Sequence, residues 1–242
     1  MKRCTTLPTK TNKYYLKKGY GGYNPCILGN SKHRYCKGSV LVNCVGWATG
    51  RFNEIIGAKK CEYLGNTNAE NFYALAKKQG LTVGSKPRAG AVMVWAKGKA
   101  GVASDGAGHV AIVEHVINNA SVQTSESGWG YTKAYVSFPT RNKGNGNWGL
   151  AGYTFLGFVY NPQINPYANP TSTIIKQGME GEQVKWLQWA IVKSGHKVDI
   201  DGKFGPKTYK ALKKAQKTWG LTVDGVCGPK TQTKIKSLYT IE

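Results

Sequence analysis

The sequence predicts an α+β chain in two parts: an antiparallel-sheet domain with one prominent helix over residues 1–160, and a small three-helix unit over residues 174–242. Three observations predict it. First, the stretch YNPQINPYANPTST at 160–173 holds Pro162, Pro166 and Pro170. Proline fixes φ and lacks the backbone donor, so residues 161–173 are read as a semi-extended linker. Second, Gly108–His115 alternates like a half-buried strand and Asn118-Asn119 offers a two-residue hairpin turn. Third, Asp-Gly-Lys-Phe-Gly-Pro-Lys-Thr at 201–208 recurs as Asp-Gly-Val-Cys-Gly-Pro-Lys-Thr at 224–231. Each copy gives a turn followed by proline at the first position of a helix, where its missing N–H costs nothing.

In chain order, the first predicted element is a helix from Cys44 to Ile56 that stops at Gly57. It sets the Cys44 thiol at a helix N-terminus, where free N–H groups and the dipole favour a thiolate and can help hold an oxyanion. Pro87 and Gly90 open a buried strand ending at Trp95, and a Gly- and Ala-rich loop leads to the strand beginning at His109. His109, Ala111, Val113 and His115 share a face of that strand. His115 lies about 20 Å further along, so the two histidines serve different places. His109 borders a cleft and His115 is structural.

A turn at Asn118-Asn119 pairs Ile117 with Ala120, so opposed residues sum to 237 and Ala111 faces Glu126. Glu126 then lies diagonal to His109 on one face, within reach of the imidazole. A single-residue bulge would turn it to the other face, so this placement depends on register. In the C-terminal part, helices are expected over Glu182–Lys193 and Lys207–Trp219, with a third after the second repeat. On the first of these, Val184, Leu187, Gln188 and Ile191 share one face. Trp186 and Trp189 fall on the other, where they either stack on a ligand or pack against neighbouring segments.

The chain carries 34 Lys+Arg against 12 Asp+Glu, a net charge of +22. Such a field concentrates a protein on polyanions: nucleic acid, anionic lipid or a wall polymer. No zinc-finger spacing, RNP-like strand or dense Lys/Arg run accompanies it, which argues against nucleic acid as the partner. No stretch approaches the roughly 20 apolar residues of a membrane span, so membrane insertion is not expected. The basic start is not followed by an apolar run, so it does not read as a secretory signal.

Cys26, His33 and Cys36 lack the paired spacing of a zinc site, and Asp199-x-Asp201-Gly has Lys210 where a calcium loop needs a bidentate glutamate. Neither metal nor cofactor is expected.

Three stretches carry the chemistry. They are Asn43-Cys44-Val45-Gly46-Trp47-Ala48, Gly108-His109-Val110-Ala111-Ile112-Val113-Glu114 and Ser125-Glu126-Ser127-Gly128-Trp129-Gly130. With Pro87-x-x-Gly90, they resemble the CHAP family, the cysteine- and histidine-dependent amidohydrolases and peptidases. That resemblance implies a papain-like α+β fold, Cys44 as nucleophile, His109 as base and Glu126 as the residue orienting His109. Two departures stand out. Gly128 occupies a place where some relatives have asparagine. No Asp or Glu precedes Glu54, so the calcium site of some relatives is not expected.

The segment from Gly178 to Gln188, with the two Asp-Gly repeats, resembles the peptidoglycan-binding domain 1 family over residues 176–240. It implies a wall-attachment module.

Together the resemblances imply a monomeric peptidoglycan hydrolase that cuts an amide of the Gram-positive wall, as an N-acetylmuramoyl-L-alanine amidase or a stem-peptide or cross-bridge endopeptidase. Trp129, beside Glu126, is expected to line the cleft, and Trp186 and Trp189 to touch the wall. Anionic wall polymers are further candidate partners. The layout also resembles phage endolysins, held in the host cytoplasm until a holin releases them. An autolysin of the same chemistry and a non-catalytic wall-binding protein are the competing readings.

Overall fold

The computed structural model describes residues 2–8, 12, 14–15, 43–58, 62–65, 67–97, 107–128 and 136–241. The chain falls into two compact units, Lys2–Pro162 and Gln163–Glu242.

In the first unit, helix α1 spans Cys44–Ile56 and ends where Gly57 adopts φ +72°, a left-handed conformation that stops a helix. Its start is fixed by Asn43, whose side-chain oxygen accepts the Gly46 N–H at 2.6 Å. A short helix α2, Phe72–Lys78, follows a single 3-10 turn. The strands are β1 (Val83–Gly84), β2 (Val92–Ala96), β3 (His109–Asn118), β4 (Ser121–Ser125), β5 (Thr140–Asn142) and β6 (Thr154–Val159). They form one antiparallel sheet in the order β1-β6-β2-β3-β4-β5, and α1 packs against β3. Met93, Trp95, Ala111, Val113, Trp148 and Phe158 form a core on one side of the sheet.

The hairpin differs from expectation at its tip. The turn falls at Asn119–Ala120, because the Asn118 side chain accepts the Ala120 N–H at 2.8 Å and starts the reversal itself. Asn118 therefore faces Ser121, two residues out from the predicted register. Two irregularities in the ladder, between Val113 and His115 and between Val116 and Asn118, then restore it. Val113 faces Thr124 and Ile112 faces Ser125, pairs that sum to the predicted 237. Two single shifts leave the facing of side chains unchanged, where one would have reversed it.

In the second unit, α3 (Glu182–Lys193), α4 (Pro206–Thr218) and α5 (Pro229–Tyr239) pack around Leu187, Ile191, Leu212 and Ile235. The repeated turns are held by buried glutamines. Gln188 Nε2 donates to Asp201 Oδ1, Lys203 O and Thr208 Oγ1, while its Oε1 accepts the Gly202 N–H. Gln216 makes the same set with Asp224, Val226, Thr231 and Gly225. Each repeat is thus a loop wrapped on one amide, and that is why Asp, Gly and Thr recur at fixed spacing.

The stretch 161–173 is not a free linker. Asn161 Nδ2 donates to Phe52 O in the first unit. In the second, Asn165 donates from Nδ2 to Trp186 O and from its backbone N–H to Tyr239 O, and the Ser172 N–H reaches Gln183 Oε1. Proline removes donors from this segment, but its asparagines supply side-chain ones, and those fasten it.

Candidate active site

Cys44 is the first residue of α1 and remains partly exposed. With Gly46 N–H taken by Asn43, the Cys44 N–H has no partner among the described residues and sits at the positive end of the helix. His109 opens β3, preceded by Gly108 at φ +80°. A Cβ at Gly108 would press on Trp95 O and come within 2.8 Å of Glu70 N, so the bend that starts β3 requires glycine.

The imidazole of His109 meets Glu126, and the Cys44 thiol is among the groups that act on its charge. Its Nε2 lies 2.8 Å from Glu126 Oε2. Burial pulls the His109 pKa down, but Cys44 and Glu126 outweigh it and raise it to about 9. Trp95, fully buried in β2, packs against the ring at 5.7 Å between centroids and limits its swing.

Glu126 follows β4 and is itself buried. Burial disfavours its charge, yet His109 and Arg141 more than compensate and hold its pKa down at about 2. All four contacts converge on the two carboxylate oxygens. Thr124 Oγ1 and Arg141 Nε donate to Oε1, while His109 Nε2 and Arg141 Nη2 meet Oε2. A carboxylate so fixed orients the imidazole and stabilises its charge without taking its proton.

The structure therefore brings Cys44, His109 and Glu126 together. Trp129 lies outside the described residues, as do Cys26, His33, Cys36 and Cys61. The placement of Trp186 on an exposed face is corrected: its ring is wholly buried in the C-terminal core, because the segment at Asn165–Tyr167 covers that side of α3. Trp189 is half-buried, edge-on to Tyr239 at 5.4 Å and beneath the Lys193 ammonium. Trp47 and Trp95 belong to cores, and His115 is exposed away from the site.

Sequence reading missed Arg141, Thr124 and the capping role of Asn43. Asn directly before a helix is a readable capping signal, and Thr124 shares a strand face with Glu126 by the period of two. Arg141 sits on a three-residue strand with no pattern of its own. Among the other described thiols, burial raises Cys4 to about 11 and Cys227 to about 12, which leaves both poorly ionised near neutrality.

Two parts of the chain match known protein families. Residues 34–128 match the family model of the CHAP domain, and residues 180–235 match that of a peptidoglycan binding domain. The N-acetylmuramoyl-L-alanine amidase CwlL of Bacillus licheniformis is 38% identical over 71 residues, 28% of this chain and 20% of that protein. The zinc D-Ala-D-Ala carboxypeptidase of Streptomyces albus G is 39% identical over 70 residues, 28% of each. The staphylococcal secretory antigen ssaA2 of Staphylococcus aureus (strain MRSA252) is 34% identical over 122 residues, 46% of this chain and 40% of that protein. The chain thus spans between 20% and 40% of the length of these relatives.

Proposed function

We propose that this chain, a CHAP domain followed by a peptidoglycan binding domain, is a peptidoglycan hydrolase that cleaves an amide by thiol chemistry. One observation carries the reading: Cys44 opens α1 and acts on the same imidazole, His109, that Glu126 holds at 2.8 Å. A nucleophile, a base and an orienting carboxylate in that order are what acyl transfer needs.

In the proposed reaction the Cys44 proton passes to His109, and the sulfur attacks the amide carbonyl carbon. The charge on the carbonyl oxygen is met by the Cys44 N–H and the α1 dipole. The C–N bond breaks as His109 gives its proton to the leaving amine. Water then attacks the thioester, His109 takes a proton from it, and the free thiol and a carboxylic acid are released. Glu126 stays ionised throughout, held by Arg141.

The scissile bond is either the amide joining muramic acid to L-alanine or one within the stem peptide or cross-bridge. The test is turbidity loss of purified Gram-positive walls, with new amino groups and their N-terminal residues assayed in the same tubes. Wild type clears the walls and Cys44→Ala does not. New L-alanine N-termini mark an amidase, and other N-termini an endopeptidase. Equal clearing by Cys44→Ala would refute the thiol mechanism.

A further inference from the structure

The two repeats of the C-terminal unit build two related grooves, and only one is strongly basic. The first, about 930 Å³, lies between the loop after α3 and the side of α4. Its walls include Val192 and Ala211, and Lys197, Lys207, Lys210 and Lys214 line it with a single carboxylate, Asp199. The second, about 440 Å³, lies between the loop after α4 and the start of α5, with Lys230 and Asp224 as its charges. The repeats are offset by 23 residues, so Lys197, Lys210 and Lys214 correspond to Gly220, Thr233 and Ser237. Lys207 alone has a lysine counterpart, Lys230. The fold therefore does not require the other three lysines. They are a property of the first groove.

Lys207, Lys210 and Lys214 are spaced three and four apart on one face of α4, and all three are exposed. At helical rise they spread positive charge over about 10 Å. One carboxylate cannot span that length, whereas a chain of repeating anionic groups can. Ammonium groups suit phosphate as point charges, and the apolar wall accommodates the carbon backbone between them. We infer that this groove binds a phosphodiester-linked polymer of the bacterial wall, so that the C-terminal unit recognises a wall polyanion as well as peptidoglycan. The inference rests on the wall being the target proposed above.

The test uses the full chain carrying Cys44→Ala, so that walls are not consumed. Binding is measured to Gram-positive walls before and after chemical removal of their phosphate polymers, and to soluble poly(glycerol phosphate). A groove variant, Lys207→Gln/Lys210→Gln/Lys214→Gln, is compared with a control of equal charge, Lys176→Gln/Lys230→Gln/Lys236→Gln. The groove variant loses about tenfold in affinity for intact walls and for the soluble polymer, and the control loses much less. Stripped walls bind wild type and groove variant alike. Equal losses in both variants would assign the effect to general charge and overturn the proposal. Undiminished binding to stripped walls, or duplex DNA held by the same lysines as tightly as the polymer, would also overturn it. Wall clearing by the Cys44-intact protein is scored separately. A catalytically inert chain that still passes the binding test would refute the hydrolase reading and leave the groove assignment standing.

Discussion

Arg141 Nη2 lies 2.6 Å from Glu126 Oε2, the same oxygen that His109 Nε2 meets at 2.8 Å. The guanidinium and the imidazole thus share one acceptor. Arg141 also reaches Oε1 through Nε at 2.9 Å, donates to Gly149 O and lies over the Trp95 ring. Trp95 in turn packs on His109. One arginine therefore fixes the carboxylate directly and the ring behind the histidine indirectly.

Replacing Arg141 with alanine is expected to lower turnover by on the order of tenfold to a hundredfold, through misplacement of His109. Glu126 loses a cation that holds its pKa down, so the acid limb of the pH–rate profile moves to higher pH. Arg141→Lys restores charge without the bidentate fork and recovers part of the loss. Turnover per folded molecule across pH checks this. An unshifted acid limb in Arg141→Ala would exclude the positioning role.

The folded protein's pH dependence follows from the same pair. His109 is raised from an ordinary 6.5 to about 9, so its contribution to stability is complete below about 6.5 and is lost as pH rises through 9. Glu126 is lowered from 4.5 to about 2, so its contribution is complete above about 4.5 and is lost as pH falls toward 2. The pair stabilises most between about 4.5 and 6.5. Denaturant unfolding at a series of pH values should show that plateau, and His109→Gln should flatten its alkaline side.

Much of this arrangement was legible in the sequence because local rules dominate there. The α1 boundaries follow from the start at Cys44 and the αL stop at Gly57, and the α3 boundaries from apolar periodicity. Hairpin arithmetic places Glu126, and although the Asn118 side chain displaces the tip, paired bulges return the register. What the sequence hid depends on contacts distant along the chain. Arg141 meets Glu126 through a strand too short to show a period. Trp186 looks like a surface aromatic until the Asn165 segment folds over α3. The amide clamps of Gln188 and Gln216 are invisible as periodicity, because a buried glutamine on an apolar helix face resembles a polar interruption.

Gly108→Ala tests how the approach to His109 is set. A Cβ there meets backbone of both Trp95 and Glu70, and φ +80° disfavours any L side chain. The cost is expected to exceed about 1 kcal/mol in stability, with a larger proportional loss of turnover because His109 is the next residue. Thermal unfolding and wall clearing measured on one preparation separate the two effects. Full activity in a destabilised protein would show that β3 relaxes without moving the histidine.

The same unit holds a second buried ion pair. Glu114 accepts both Arg51 Nε and Nη2 at 2.9 Å, and also accepts from Ser125 Oγ and the Cys4 N–H. Trp47 Nε1 donates to Ser125 Oγ, so the network ties α1 to the end of β4, one residue before Glu126. Glu114→Ala leaves a guanidinium buried beside fewer acceptors and is expected to cost about 3–5 kcal/mol. The double change Arg51→Met/Glu114→Leu removes both charges and should recover most of that stability, since a desolvated pair contributes little net energy. Activity should recover less than stability, because the Ser125 hydroxyl, one residue before Glu126, no longer has its acceptor. Denaturant midpoints beside turnover per folded molecule decide the matter. If activity returns in full with stability, the network serves the fold alone and Glu126 needs no support from Ser125.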